Sequence, residues 1–189
     1  DDCQRLEDLA SQLGFTGSGS VVAVVDAGID YTHAHFGGPG TPEAYAAANA
    51  AAERIDDQWQ DAPLFPTAKV IGGWDFVGPK YTHPNYYTDA LAREGRCVNQ
   101  PQPDPDPLDQ HGHGTHVAGI VAGNAVGDLA NGVAPGAKLV ALKIYGTPPG
   151  LSVDESIDVV VDASEWCAKV NLGREVEGIA PPHVEPPQM

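Results

Sequence analysis

The stretch 111–123, which reads HGHGTHVAGIVAG, constrains the fold of this chain more than any other segment. A cluster of histidines runs directly into a segment that consists almost wholly of small residues. Gly114, Gly119 and Gly123 would each cost about 0.5 to 1 kcal/mol relative to alanine inside a helix, so they predict that neighbouring backbone packs too closely for side chains. We therefore expect a buried helix with His113 at its electropositive first turn.

A second constraint is the run VVAVVD at residues 21–26. Its β-branched residues, uninterrupted by a polar side chain, predict a strand that is buried on both faces. Asp26 ends this run, so its carboxylate would stand at the carboxyl end of a parallel strand, where open α/β sheets place ligands and chemistry. Taken singly, Asp26 is better explained as a turn former or helix cap, and His113 as a structural histidine at a helix start.

Taken together, the two segments resemble a known pair of sequence motifs. VVAVVDAGID resembles the aspartate box of the subtilases, the subtilisin-like serine peptidases, and DQHGHGTHVAG resembles their histidine box, in the same order along the chain. NGVAPGAKLVALKI resembles the turn and strand that follow in that family. The resemblance implies a three-layer α/β fold with a mostly parallel sheet. Residues 1–173 would form only the N-terminal half of it, with an insertion loop at 77–108 like those of larger secreted and cell-envelope members.

The same resemblance implies a mechanism and its residues. His113 would act as general base toward a serine hydroxyl, and Asp26 would hold the imidazole in the correct tautomer. Tyr145 would wall a substrate subsite beside this pair. Gly150 would lie in a segment that binds an extended peptide through main-chain hydrogen bonds, although the two prolines before it cannot donate such bonds.

The family's serine box and its oxyanion asparagine are both missing from the sequence. No serine lies in the expected glycine, threonine, serine and small-residue context; the six serines are Ser11, Ser18, Ser20, Ser152, Ser156 and Ser164. Loss of the serine alone costs about a millionfold in turnover in subtilisin, so we expect essentially no hydrolysis by this chain alone. Its expected partners are a protein or peptide substrate and the missing C-terminal part of the same domain.

Three departures from the family pattern matter. Ala27 replaces the usual serine or threonine and so removes a hydroxyl that could hydrogen-bond the Asp26 carboxylate. His35 stands where some members have a calcium-binding carboxylate, and a neutral imidazole is a poor ligand for calcium. We expect no calcium at His35, while a structural calcium elsewhere in the full-length protein stays open. Three acidic residues just before the histidine cluster are expected to form a solvated linker without a metal: Asp104, Asp106 and Asp109.

Two other functions stay open at this point. His111, His113 and His116 have the spacing HxHxxH, which resembles the zinc motif of metallo-β-lactamase-like hydrolases, although Thr115 replaces the aspartate that holds the second metal. Alternatively, the chain could be a subtilase remnant that binds peptides without catalysing their hydrolysis.

Composition narrows the partners and the location. The formal net charge is −16 with only ten lysines and arginines, which argues against nucleic acid or an anionic membrane surface as a partner. No run approaches 18 apolar residues, so we expect no membrane insertion. The chain starts at Asp1, and we expect a signal peptide and propeptide outside it and an extracellular or cell-envelope location. Three widely spaced cysteines leave one disulfide possible and its pairing open: Cys3, Cys97 and Cys167.

Periodicity and turn signals predict the remaining elements. We expect a short helix within 1–16, an exposed helix over 43–54 and a helix over 152–170 that begins with a capping box. Strands are expected over 69–77 and 138–144. The proline-rich tail 174–189 is expected to be disordered.

Overall fold

The computed structural model of the chain describes residues 12–53, 64–81, 88–95, 98–146 and 157–171. Its three strands form one parallel sheet in the order β1-β3-β2, where β1 is Val21–Asp26, β2 is Val70–Asp75 and β3 is Lys138–Lys143. The helices are α1 (Pro42–Ala52), α2 (Asp89–Arg93), α3 (His113–Ala122) and α4 (Ile157–Asn171), with a short 3-10 helix at Ala34–Phe36. Most of the predicted 1–16 helix, the tail 174–189, Cys3 and Cys97 lie outside the described residues.

The central strand β3 shows how helices come to cover both faces of the sheet. Leu139 and Ala141 point into one apolar cluster, which includes the small residues of α1 and α3. Val140 and Leu142 point into a second cluster, which includes Trp166 of α4. Alternate side chains of a strand point to opposite faces, so β3 is buried from both sides. The result is the expected three-layer α/β arrangement with a parallel sheet.

The prediction that β1 is buried on both faces is wrong. Val24 faces the first cluster and is buried, but Val21 is 42% exposed and Val25 is 38% exposed. Among the described strands β1 lies at an edge of the sheet, so part of its second face remains uncovered. A β-branched run reports a preference for strand, whereas burial depends on which elements pack against it.

Helix α1 also differs from its prediction. It begins one residue earlier than expected because the Thr41 side chain accepts a hydrogen bond from the Ala44 N–H and Pro42 occupies the first helical position. It is not fully exposed, since Ala48 and Ala52 are buried against the sheet. The small alanine side chains allow this close approach.

The acidic loop before α3 is not a solvated linker, which corrects a second prediction. Asp104 forms an antiparallel bridge with Asp75, with N–H to carbonyl distances of 2.8 and 2.9 Å. Asp106 is only 1% exposed and accepts a 2.9 Å hydrogen bond from the Tyr31 hydroxyl. Leu108 is fully buried. This segment therefore packs on the sheet, and it leads directly to the start of α3.

Candidate active site

Asp26 lies at the carboxyl end of β1, where the strand pairs with the end of β3. Its carboxylate is largely buried, and its Oδ1 accepts a 2.7 Å hydrogen bond from the Ala27 N–H. Its main-chain carbonyl accepts a hydrogen bond from the Ile144 N–H at 2.8 Å. Sheet pairing and the Ala27 N–H thus orient this carboxylate, although residue 27 has no hydroxyl to donate to it.

His113 is the first residue of α3, and its side chain meets Asp26. Nδ1 lies 2.8 Å from Oδ1 and 3.0 Å from Oδ2 of the carboxylate. A carboxylate can only accept, so the hydrogen bond requires the proton on Nδ1. The other ring nitrogen, Nε2, is then the unprotonated atom of the neutral imidazole. The His113 side chain is 62% exposed, so this edge of the site is open to an incoming group.

The carboxylate also sets the electrostatics of the imidazole. The hydrogen bond and the negative charge of Asp26 raise the pKa of His113 above its usual 6.5, and the charge of Asp109 adds to this effect. Asp26 therefore favours the protonated imidazole, which is the form that a general base reaches after it accepts a proton. The pair can hold one tautomer, accept a proton at Nε2 and stabilise the resulting cation.

One glycine allows the helix, and a second allows the loop before it, to approach the end of β1 closely. Gly114 follows His113, and a Cβ at this position would lie far inside the 3.0 Å contact limit against the Gly28 carbonyl oxygen. Gly28 has φ 99°, and a Cβ there would overlap the Pro107 carbonyl oxygen. The prediction of close backbone packing is therefore confirmed at Gly114. It is wrong at Gly119, where a Cβ would meet only His35 Nδ1, at an ordinary 3.7 Å, among the residues that the structure describes outside the neighbouring helical turns.

Of the two residues expected to contact a substrate, one lies within the described part of the chain and one does not. Tyr145 comes two residues after β3, at the same edge of the sheet as Asp26, and it packs half-buried against the second apolar cluster. Gly150 lies outside the described residues. Their roles toward a substrate stay predictions.

The histidines of the proposed zinc motif do not converge on one point. The rings of His111 and His113 are 6.3 Å apart, and His113 Nδ1 is engaged by Asp26. Within the described ranges, no group of three or more histidine, cysteine, aspartate or glutamate side chains could hold a metal ion. At the position considered for calcium, burial lowers the pKa of His35 and so favours its neutral form.

Sequence reasoning missed a buried ion pair beside the site. Lys143 ends β3 and is 1% exposed; its Nζ lies 2.7 Å from the Asp75 carboxylate at the end of β2 and 3.3 Å from Gln110 Oε1. The signal was a charged residue at the end of each of two buried strands. Lys143 and Asp75 lie at the same edge of the sheet as Asp26. The ends of all three described strands therefore carry ionisable side chains.

Comparison with known proteins gives a consistent family. A family model described as the subtilase family matches residues 17–175. Bacillopeptidase F of Bacillus subtilis is 29% identical over 175 residues, which are 92% of this chain and 9% of that protein. Extracellular basic protease of Dichelobacter nodosus is 29% identical over 179 residues, 93% of this chain and 24% of that protein. PII-type proteinase of Lacticaseibacillus paracasei is 30% identical over 164 residues, 85% and 7% of the two chains.

The matched proteins are much longer than this chain, which spans 9% and 24% of the first two. None of the helices that the structure describes has the length and apolar character needed to cross a membrane.

Proposed function

Because this chain belongs to the subtilase family, we propose that it carries the aspartate and histidine of a serine endopeptidase and provides the general-base part of its catalytic centre. The observation that supports this most strongly is the 2.8 Å contact between His113 Nδ1 and Asp26 Oδ1. The contact joins the end of β1 to the start of α3, two segments that are distant in the sequence. It gives the imidazole the orientation that a base needs.

In this mechanism Nε2 of His113 takes the proton of a serine hydroxyl as that oxygen attacks the peptide carbonyl. Asp26 keeps the proton on Nδ1 and stabilises the imidazolium that forms. The same Nε2 then returns the proton to the leaving amine. General acid–base catalysis of this kind contributes about a hundred- to ten-thousand-fold in rate.

The nucleophile is proposed to lie outside the chain. Ser18 and Ser20 precede β1, so a six-residue strand separates them from Asp26, a span of about 20 Å at roughly 3.3 Å per residue. Ser164 donates its hydroxyl hydrogen bond to Val160 O within α4. None of these three is placed to give a proton to His113. Because none of the six serines in the sequence lies in the family's serine-box context, the chain is proposed to be inactive until the remaining part of the domain supplies a serine and its oxyanion donors.

The remaining parts of the proposal concern the whole protein. Residues 1–173 are assigned to the catalytic domain, consistent with the match over 17–175, and 174–189 to a tail. The substrate is proposed to be an extended peptide or protein, contacted by Tyr145 and Gly150. The strongly acidic charge argues against nucleic acid as a partner, and we place the protein outside the cell or in its envelope.

The test uses the complete reading frame that encodes this chain, a fluorophosphonate probe and a fluorogenic peptide. We expect labelling and hydrolysis from the complete protein, and neither from the 189-residue chain alone. His113→Ala and Asp26→Asn should remove most of the activity. The matched control is His116→Ala, which removes an exposed imidazole from the same helix and should leave activity close to wild type.

Each alternative has its own outcome. A zinc hydrolase would lose activity in His116→Ala and on treatment with a chelator, and the probe would not label it. A peptide-binding remnant would retain peptide affinity while the complete protein shows neither labelling nor hydrolysis. Stoichiometric labelling of the isolated chain would show that the nucleophile is one of its own serines.

A further inference from the structure

The N-cap residue of the helix that carries His113 cannot cap it with a side chain. The residue at the N-cap position of α3 is Gly112, which has φ 98° and no side chain to accept from the helix. The first N–H groups of a helix have no intrahelical partner, and leaving them unsatisfied weakens the first turn. This turn contains the proposed base, so whatever satisfies its donors also fixes the imidazole.

The Asp109 carboxylate supplies acceptors for two of these donors, the N–H groups of Gly112 and Thr115. Its Oδ1 accepts from the N–H groups of His111 and Gly112, both at 2.8 Å. Its Oδ2 accepts from the N–H of Thr115 at 2.8 Å and from the Thr115 hydroxyl at 2.6 Å. Asp109 is 2% exposed, so its carboxylate is largely shielded from water. Hydrogen bonds to a charged acceptor are about twice as strong as neutral ones.

Thr115 extends this contact to the segment that follows β1, the strand that carries Asp26. While its hydroxyl donates to Asp109, its oxygen accepts from the Asp30 N–H at 2.9 Å. Asp30 lies four residues after Asp26. The helix start is therefore held to the segment after β1 at two points, through Thr115 and Asp30 and through His113 and Asp26.

We propose that Asp109 is a positioning residue for His113: it caps α3 from the preceding loop and, through Thr115, holds the imidazole against Asp26. The inference rests on the proposed function, because it gives Asp109 a task only if His113 is the base. It adds a second carboxylate to the centre beside Asp26, one that acts on the base without touching it or the substrate.

The charged and titratable groups around the imidazole can be named from each side. Asp26 faces it from β1, Asp109 lies beneath the first turn of α3, and the His111 ring lies 6.3 Å away in the same loop. The carboxylates of Asp26 and Asp109 both raise the pKa of His113. Removing the Asp109 charge should therefore lower this pKa by itself. Positioning is read instead from the Nδ1–H signal, and from Thr115→Val, which keeps the Asp109 charge and removes only the hydroxyl that donates to it.

The experiment measures the pKa and the Nδ1–H signal of His113 by NMR in the 189-residue chain, with amide exchange of the first turn of α3. In Asp109→Asn we expect a lower pKa, a weakened Nδ1–H signal and about five- to tenfold faster exchange at Thr115. Asp128→Asn is the control: it removes an equal charge from an exposed residue in the loop after α3 and should change none of these.

A second pair of variants keeps the test decisive if Asp109→Asn fails to fold. Thr115→Val removes the hydroxyl and should weaken the Nδ1–H signal, while Thr115→Ser keeps the hydroxyl and should restore it. The inference is overturned if folded Asp109→Asn, or in its absence Thr115→Val, shows the wild-type Nδ1–H signal. If wild type itself lacks the Nδ1–H signal, the proposed function fails instead.

Discussion

Replacing Gly114 with alanine tests the close approach of α3 to β1. In a free helix this change would stabilise the folded state by about 1 kcal/mol, because alanine is a better helix former than glycine. Here the new methyl would overlap the Gly28 carbonyl oxygen and lie 3.1 Å from the N atoms of Ala27 and Gly28. These are all backbone atoms, which cannot turn away as a flexible side chain can, so the helix has to move.

The size of the effect follows from these contacts. Overpacking of a tight site costs about 1 to 3 kcal/mol, and we expect Gly114→Ala to lower the free energy of unfolding by that amount. A retreat of α3 by about 0.8 Å would stretch the 2.8 Å contact between His113 Nδ1 and Asp26 to 3.6 Å, which is no longer a hydrogen bond. The variant should therefore lose stability and the His113 contact together.

Gly119→Ala is the matched control because the same helix receives the same methyl. Among the described residues outside the neighbouring helical turns, this methyl would meet only His35 Nδ1, at 3.7 Å. This variant should gain up to about 1 kcal/mol. Urea unfolding followed by circular dichroism compares the two variants with wild type. If Gly114→Ala is as stable as Gly119→Ala, the backbone contact with Gly28 does not restrict α3 and the packing argument is incorrect.

Two further predictions concern the buried charges behind the site. Burial raises the pKa of Asp106 to about 6, and burial together with the charge of Asp75 raises the pKa of Asp104 to about 8, both from 3.8. Between about pH 4 and pH 8 the folded chain then binds more protons than the unfolded chain, so the free energy of unfolding should fall as the pH rises through this range. Urea unfolding at a series of pH values measures this, and Asp104→Asn should flatten the profile between about pH 6 and pH 8. Lys143→Met leaves the Asp75 carboxylate buried without its 2.7 Å partner and should lower the free energy of unfolding by about 3 to 5 kcal/mol in the same assay. The double variant with Asp75→Asn should recover part of this loss. Equal stability of Lys143→Met and wild type would contradict the prediction.

The parts of the site that sequence predicted are those written in local patterns. The run ending at Asp26 specified a strand and its carboxyl end, and the small residues after His113 specified a helix that could approach it. Both predicted elements are present, with β1 and α3 at the expected positions. The family resemblance added what neither pattern contains, namely that the two ends meet.

The parts that sequence missed depend on contacts between distant segments. The acidic loop looked solvated because proline and aspartate are common in linkers, yet Asp106 is buried against Tyr31. Nothing near Asp109 in the sequence indicated that its carboxylate would cap α3. Likewise the exposure of Val21 and Val25 reflects which elements cover β1, and a run of valines cannot report that.

The most direct test of this account is the protonation state of the His113 ring, read from the ¹⁵N shifts of its two nitrogens across a pH titration of wild type and Asp26→Asn. We predict that neutral His113 carries its proton on Nδ1, that its pKa lies above 6.5, and that Asp26→Asn lowers this pKa. A neutral ring protonated on Nε2, or a pKa that does not change when Asp26 is replaced, would contradict it.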